Sequence, residues 1–198
     1  ECPSRHQTSP WQRTLGYVPQ HIYLNDDSIA ANIALGVPMD EIDQEALERA
    51  ARTANIHDFI VNELEEGYDT PLGEWGVRLS GGQRQRVGIA RALYHDPAVI
   101  VMDEATSALD NVTERVVMEA VQKLGTQKTI ILIAHRLTTV QNCDRIFLLE
   151  NGRIAASGTY NELVEENVHF REMARANDED AAQESPTLAY PTNATRSV

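Results

Sequence analysis

Leu79-Ser80-Gly81-Gly82-Gln83, followed one helix later by Ala98-Val99-Ile100-Val101-Met102-Asp103-Glu104, is the stretch around which the chain is organised. Ser80 is a good N-cap, and Gly81 and Gly82 leave the first N–H groups of the ensuing helix uncovered. Those donors, with the positive end of the helix dipole, suit an anion such as phosphate. The second segment reads as a β-branched strand that ends in two carboxylates. An acidic pair at the C-terminal edge of an apolar strand is where an α/β protein holds Mg²⁺ and places a general base. Taken singly, Gly-Gly is most simply a turn and Asp-Glu a solvated helix start. Phosphate cradle and acidic pair together suggest nucleotide hydrolysis.

Composition narrows the field. The 198 residues, 42% of them apolar, suffice for one domain or part of one with its own core. A formal charge of −13 argues against a nucleic-acid groove, which needs clustered Lys and Arg. Cys2 and Cys143 stand far apart and outside any metal-binding spacing, so a disulfide or zinc scaffold is not expected and a reduced setting fits. The longest apolar runs, 98–102 and 130–134, are strand-sized and far short of a bilayer span. Neither run supplies a membrane anchor, and no signal peptide is visible at the start.

The ordered pair of motifs resembles one family in particular. Leu79 to Gln83 matches the signature of the ATP-binding cassette (ABC) ATPases, and Val99 to Glu104 looks like their Walker B strand. Asp103-Glu104-Ala105-Thr106-Ser107-Ala108-Leu109-Asp110 continues into what resembles the family's D-loop. The resemblance runs from about Trp11 to Ala174, leaving residues 1–10 as an unstructured or truncated start. It implies an α/β fold: a P-loop NTPase-like parallel sheet flanked by helices, with an inserted all-helical subdomain at 28–95, N-terminally truncated. From 177 to 198 the acidic, proline-bearing composition reads as a disordered tail.

Along the chain, Leu15 to Gln20 reads as a short strand stopped by Pro19, and Gln20 resembles the family's Q-loop glutamine. Helices are expected over 29–35 behind Ser28, over 43–53, over 57–64, and from Gly81 to about Tyr94. Residues 70–77 form a glycine-punctuated loop similar to that before the signature in ABC exporters, with Trp75 where exporters commonly carry a basic residue. Asn111 with Glu114 imitates a capping box for a helix that turns Val116, Val117, Ala120, Val121 and Leu124 inward. Thr129 to Ala134 is a fully apolar strand ending at His135, which resembles the family's switch histidine. Strand, helix and strand at this spacing imply a parallel sheet. Asn151-Gly152 between two strand-like runs signals a hairpin, and Thr159 with Glu162 a capping box.

The resemblance assigns roles residue by residue. Asp103 holds Mg²⁺ with Gln20 as a further ligand, Glu104 is the general base, and His135 steadies the γ-phosphate. Ser80, Gly81, Gly82 and Gln83 bind the nucleotide held by a second nucleotide-binding domain in a head-to-tail dimer, with Asp110 along the seam. ATP and Mg²⁺ are the implied ligands. The transmembrane domain of an exporter, at the cytoplasmic face of the cell membrane, is the implied partner. The family's Walker A loop, Gly-Lys-Ser/Thr, does not occur: the two lysines are Lys123 and Lys128, and neither follows a glycine. Without the helix that loop opens, part of the sheet's core is expected to be uncovered. The alternative function is a P-loop-less regulatory partner of an intact ABC ATPase, with no turnover of its own. A soluble relative acting on DNA or ribosomes is disfavoured by the acidic balance.

Overall fold

The computed structural model describes residues 14–73, 78–106, 109–125, 128–134 and 136–183. Contacts divide the chain after Ala134 into two compact units. In the first, strands β1 (Leu15–Val18), β2 (Val99–Asp103) and β3 (Thr129–Ile133) form a parallel sheet in that order. Gly16 lies opposite Ile100, Val18 opposite Met102, and Asp103 opposite Ile133. Helices α1 (Ile29–Ile33), α2 (Gln44–Thr53), α3 (His57–Glu63) and α4 (Gly81–Leu93) all fall between β1 and β2. Helix α5 (Asn111–Gly125) crosses from β2 to β3.

Local chemistry explains where these helices start. The Ser28 hydroxyl accepts from Ala31 N at 3.1 Å, and Asp43 Oδ1 accepts from Glu45 N and Ala46 N at 2.9 and 3.1 Å. Each satisfies first-turn donors that have no partner within the helix. The start of α2 is also tied to the end of α4, because Asp43 N donates to the Tyr94 hydroxyl at 2.9 Å. Val18, Ile100 and Met102 share one buried cluster with Val87 and Ala90 of α4 and with Val117 and Val121 of α5. That is one face of the sheet.

On the opposite face Leu15, Tyr17, Ile131 and Ile133 are exposed, Ile133 by 51%. Strand β3 therefore alternates instead of being buried throughout, although its residues are all apolar but Thr129. Among the described residues it pairs only with β2, and helices cover a single face. A parallel sheet ordinarily carries helices on both. The inward stripe of α5 also differs from expectation, since Val116 is exposed and Met118 is buried. Glu114, Val117, Met118 and Val121 follow i, i+3, i+4, i+7 spacing, which places residue 116 off the stripe.

The second unit holds α6 (Leu137–Val140), the antiparallel pair β4 (Ile146–Glu150) and β5 (Arg153–Gly158), α7 (Tyr160–Glu166) and α8 (Val168–Gln183). Asn151 and Gly152 both have positive φ, 50° and 75°, as a two-residue type I′ hairpin requires. The capping box of Thr159 and Glu162 opens α7. Leu137, Leu163, Phe170 and Ala174 form the small core, with the Tyr160 ring edge-on to Phe170. Helix α8 runs to Gln183, past the boundary expected at 177. The sequence from Ala174 to Gln183 carries four alanines with Glu and Gln, strong helix formers that continue the turn despite the acidic charge.

One ion pair in the first unit makes a pH prediction. Lys128 Nζ lies 2.7 Å from Asp96 Oδ1, and it also donates to the backbone carbonyls of Asp96 and Pro97. The lysine holds the Asp96 carboxyl below its ordinary pKa of 3.8. The stabilisation is therefore complete above that value and is lost as pH falls through the lower folded-state pKa. Urea titrations at stepped acidic pH should show a shallower acid loss of stability in Lys128→Met than in the unsubstituted chain.

Candidate nucleotide site

Strand β1 stops at Val18 because Pro19 has no N–H for the ladder, and this delivers Gln20 to the C-terminal rim of the sheet. There Gln20 Nε2 donates to Glu104 Oε2 at 2.6 Å. The Tyr17 hydroxyl donates to Asp103 Oδ2 at 3.2 Å. Tyr17 pairs in register with Val101, so Asp103, two residues on, lies on the same face and within reach of the ring. Lost hydration around the ring and the neighbouring Asp103 carboxylate both raise the Tyr17 pKa above its ordinary 10.0. Tyr17 went unnoticed as a site residue in the sequence. The signal was there in the period-two alternation of β1, once its register with β2 was known.

Glu104 leaves the strand with φ +47°, a left-handed conformation that non-glycine residues seldom adopt. Its N–H donates to Ile133 O at 2.9 Å, which locks this turn to the end of β3. Two carboxylates and one carboxamide thus converge on one rim. These are hard oxygen donors of the kind Mg²⁺ takes when it keeps several waters and binds few protein groups. Gln20 engages Glu104 through its nitrogen, so its Oε1 is a further oxygen at the rim. The donor set fits such a cation. Among the described residues no cluster of three or more His, Cys, Asp or Glu is gathered, as a dedicated protein cage would need.

The signature segment opens α4 by a full capping box. Ser80 Oγ accepts from Gln83 N at 3.2 Å, and Gln83 Oε1 accepts from Ser80 N at 2.8 Å. Leu79 is buried and anchors the entry, whereas Ser80 and Gly81 are exposed. Near the other end of the helix, Ala92 O lies 2.6 Å from where a Cβ on Gly16 would sit, and Gly88 abuts the Ile22 side chain just past β1. From Gly88 the helix continues two more turns to Ser80, about 12 Å further on. Its start therefore extends beyond the segment that follows Gln20. Arg86 and Arg91 are held by backbone carbonyls: Arg86 donates to Asn55 O, and Arg91 donates to Tyr23 O and Asn32 O.

Asp110 is the cap of α5, which corrects the expected Asn111–Glu114 box. Its Oδ1 accepts from Val112 N and Thr113 N at 3.1 and 2.9 Å. The helix begins at Asn111, so the flanking residue that can reach N2 and N3 is Asp110. Hydrogen bonds from Thr113, side chain first, hold the Asp110 carboxyl below its ordinary pKa. Glu114 is buried instead and accepts from the Thr106 hydroxyl at 2.9 Å. His135, Ser107, Ala108 and the exporter-like positions 74–77, Trp75 included, lie outside the described residues.

The family model "ABC transporter" matches residues 2–107, beginning ahead of Trp11, from which the motif resemblance runs. The chain is 46% identical over 157 residues to an ATP-dependent lipid A-core flippase of Cupriavidus metallidurans, covering 79% of this chain and 26% of that protein. It is 48% identical over 150 residues to ABC transporter B family member 22 of Arabidopsis thaliana, covering 76% and 12%. Among solved structures, a bacterial Atm1-family ABC exporter with ATP bound superposes with a TM-score of 0.77 at 40% identity, covering 84% of this chain and 29% of that one. The chain spans about a quarter of the length of the flippase relatives. No helix among the described residues is long and apolar enough to cross a membrane. By its signature, its rim of carboxylates and its match over more than half its length, the chain belongs to the ABC transporter family and is part of an exporter-type nucleotide-binding domain.

Proposed function

We propose that this chain is the signature-bearing part of an ATP-hydrolysing module that pairs head-to-tail with a second nucleotide-binding domain and powers an exporter's transmembrane domain. The observation that carries this reading is the rim itself: Gln20 bonded to Glu104 beside Asp103, with the signature helix starting well beyond. Asp103 and Gln20 would hold Mg²⁺ there, partly through water. The cation, when bound, neutralises charge on the phosphates. Glu104 takes a proton from the water that attacks the γ-phosphorus, as the bond to ADP breaks. His135 donates to the γ-phosphate, and Ser80, Gly81 and Gly82 donate to the γ-phosphate of the partner-bound ATP. Asp110 is assigned to the seam, where its cap sets the start of α5. Membrane attachment, at the cytoplasmic face, comes through the transmembrane domain and not through any described helix of this chain.

The 198 residues contain no Gly-Lys pair to cradle β- and γ-phosphates, a contact on which P-loop enzymes depend. A second reading is a regulatory partner that completes another cassette's site without turnover of its own. Both readings predict ATP hydrolysis at background level by the purified chain alone. A phosphate-release assay that finds turnover, abolished by Glu104→Gln, would refute this. Pairing is tested by cross-linking. Ser80→Cys, in a Cys2→Ser, Cys143→Ser background, should link to a cysteine in the P-loop of an intact exporter cassette only with ATP present. Equal linking with and without ATP, or none, overturns the proposal.

A further inference from the structure

We propose that Tyr17 is a positioning residue for the cation of this site: its hydroxyl holds one oxygen of the Asp103 carboxylate, leaving the other for Mg²⁺ or its waters. This rests on the preceding reading that Asp103 holds that ion.

The segment at β1 supplies two neutral donors and the end of β2 two carboxylates, and each donor takes a different acid. Gln20 takes Glu104, and Tyr17 takes Asp103. The second pairing is a matter of register. Tyr17 lies opposite Val101, two residues short of Asp103 on the same face. Two strand residues span about 6.6 Å, a distance that a tyrosine covers when it leans along the strand and shorter side chains do not. An aspartate left alone turns easily about its last torsion, where the wells are broad, so either oxygen can face outward. Here the phenol hydroxyl donates to Oδ2 at 3.2 Å. Among the described residues it is the one side chain bonded to this carboxylate, and Oδ1 has no protein donor. A cation that keeps several waters and takes only one or two carboxylates needs one such oxygen. Groups that bond to a metal's ligands orient them, and losing one typically lowers metal affinity by about tenfold to a hundredfold. Tyr17 is exposed and not packed in the core, so its hydroxyl can be removed without disturbing the fold.

Tyr17→Phe removes the hydroxyl and keeps the ring. The probe is Mn²⁺, which takes the same oxygen donors as Mg²⁺ and, being paramagnetic, broadens the NMR signals of nearby protons. Added stepwise to the 198-residue chain without nucleotide, it should broaden the Gln20 carboxamide and the Asp103 and Glu104 amide signals. The chain carries 30 acidic residues, so Asp103→Asn separates the rim from ions gathered elsewhere, and should abolish the broadening there. In Tyr17→Phe the same broadening should require about tenfold more Mn²⁺, with the urea midpoint unchanged. In the metal-free chain, the Asp103 carboxyl carbon signal should move on Tyr17→Phe. An unchanged Mn²⁺ requirement overturns the inference. So does a lower one, because Tyr17 would then compete with the cation. A weaker response to Mn²⁺ accompanied by a fall in the urea midpoint marks a structural role and overturns it too, as does an unmoved Asp103 carbon signal. If the unsubstituted chain shows no broadening at the rim, or Asp103→Asn shows as much, the reading of Asp103 as the cation's holder is what fails, and the role of Tyr17 falls with it.

Discussion

Replacing Asn32 with leucine is expected to cost about 4 kcal/mol of folding stability, a large share of what a domain of this size ordinarily has. Asn32 lies on α1 with no exposed surface. Its Nδ2 donates to the carbonyls of Asn25, Asp27 and Ser28, and its Oδ1 accepts from Asn25 N at 2.8 Å and from Arg91 Nη2 at 3.2 Å. Leucine matches the volume and none of these bonds. It leaves a buried N–H, several carbonyls and part of a guanidinium without partners, at about 1–3 kcal/mol for each unsatisfied group. Burial already lowers the Arg91 pKa, so this cation depends on its carbonyl acceptors. Arg91→Met should cost less, because one arm of the guanidinium bonds at the surface to Tyr23 O. Since the two residues share contacts, urea unfolding of the single and double variants should give a coupling energy above about 0.5 kcal/mol. Additive losses would show that the network does not act as a unit. The network joins the segment after Gln20 to the signature helix, so its loss should loosen both halves of the candidate site.

Gly16→Val is the second large effect, expected at about 3 kcal/mol destabilising. Valine favours strands, so local propensity alone predicts a gain at this β1 position. Packing decides otherwise. A Cβ at Gly16 would lie 2.6 Å from Ala92 O and 2.8 Å from Pro97 Cγ, one a backbone atom of α4 and the other a closed ring. Neither can rotate aside, so β1 must move off α4. Gly88→Ala supplies the contrast, because its added methyl meets side-chain atoms of Ile22 and no backbone or ring atom, so only a side chain must shift. Chemical denaturation should rank the valine variant well below the alanine variant. The reverse order would mean that the β1–α4 contact is looser than the structure has it.

Much of the fold could be read directly from local chemistry. Ser28, Ser80 and Thr159 each cap the helix expected behind them, and Asn151-Gly152 makes the expected hairpin. Such features depend on a few consecutive residues, and their physics is complete within that window. Long-range pairs escaped. Tyr17 and Asp103 are 86 residues apart, and Asn32 and Arg91 59 apart, so no spacing rule connects them. The cap of α5, expected at Asn111, lies at Asp110 for the opposite reason. Aspartate and asparagine cap about equally well, and only the true first turn distinguishes position 110 from 111.

The sequence by itself determined that a parallel sheet would carry Gln20, Asp103 and Glu104 at strand ends, and that Ser80 would open a helix, because strand periodicity and capping are local. Tertiary structure alone decided that Gln20 reaches Glu104 and Tyr17 reaches Asp103, since those contacts follow from the register of β1 on β2. It alone decided which face of the sheet is covered. The exposed Ile131 and Ile133 are as apolar as the half-buried Ile130 and Leu132 that alternate with them, and only the placement of neighbouring helices tells the two faces apart.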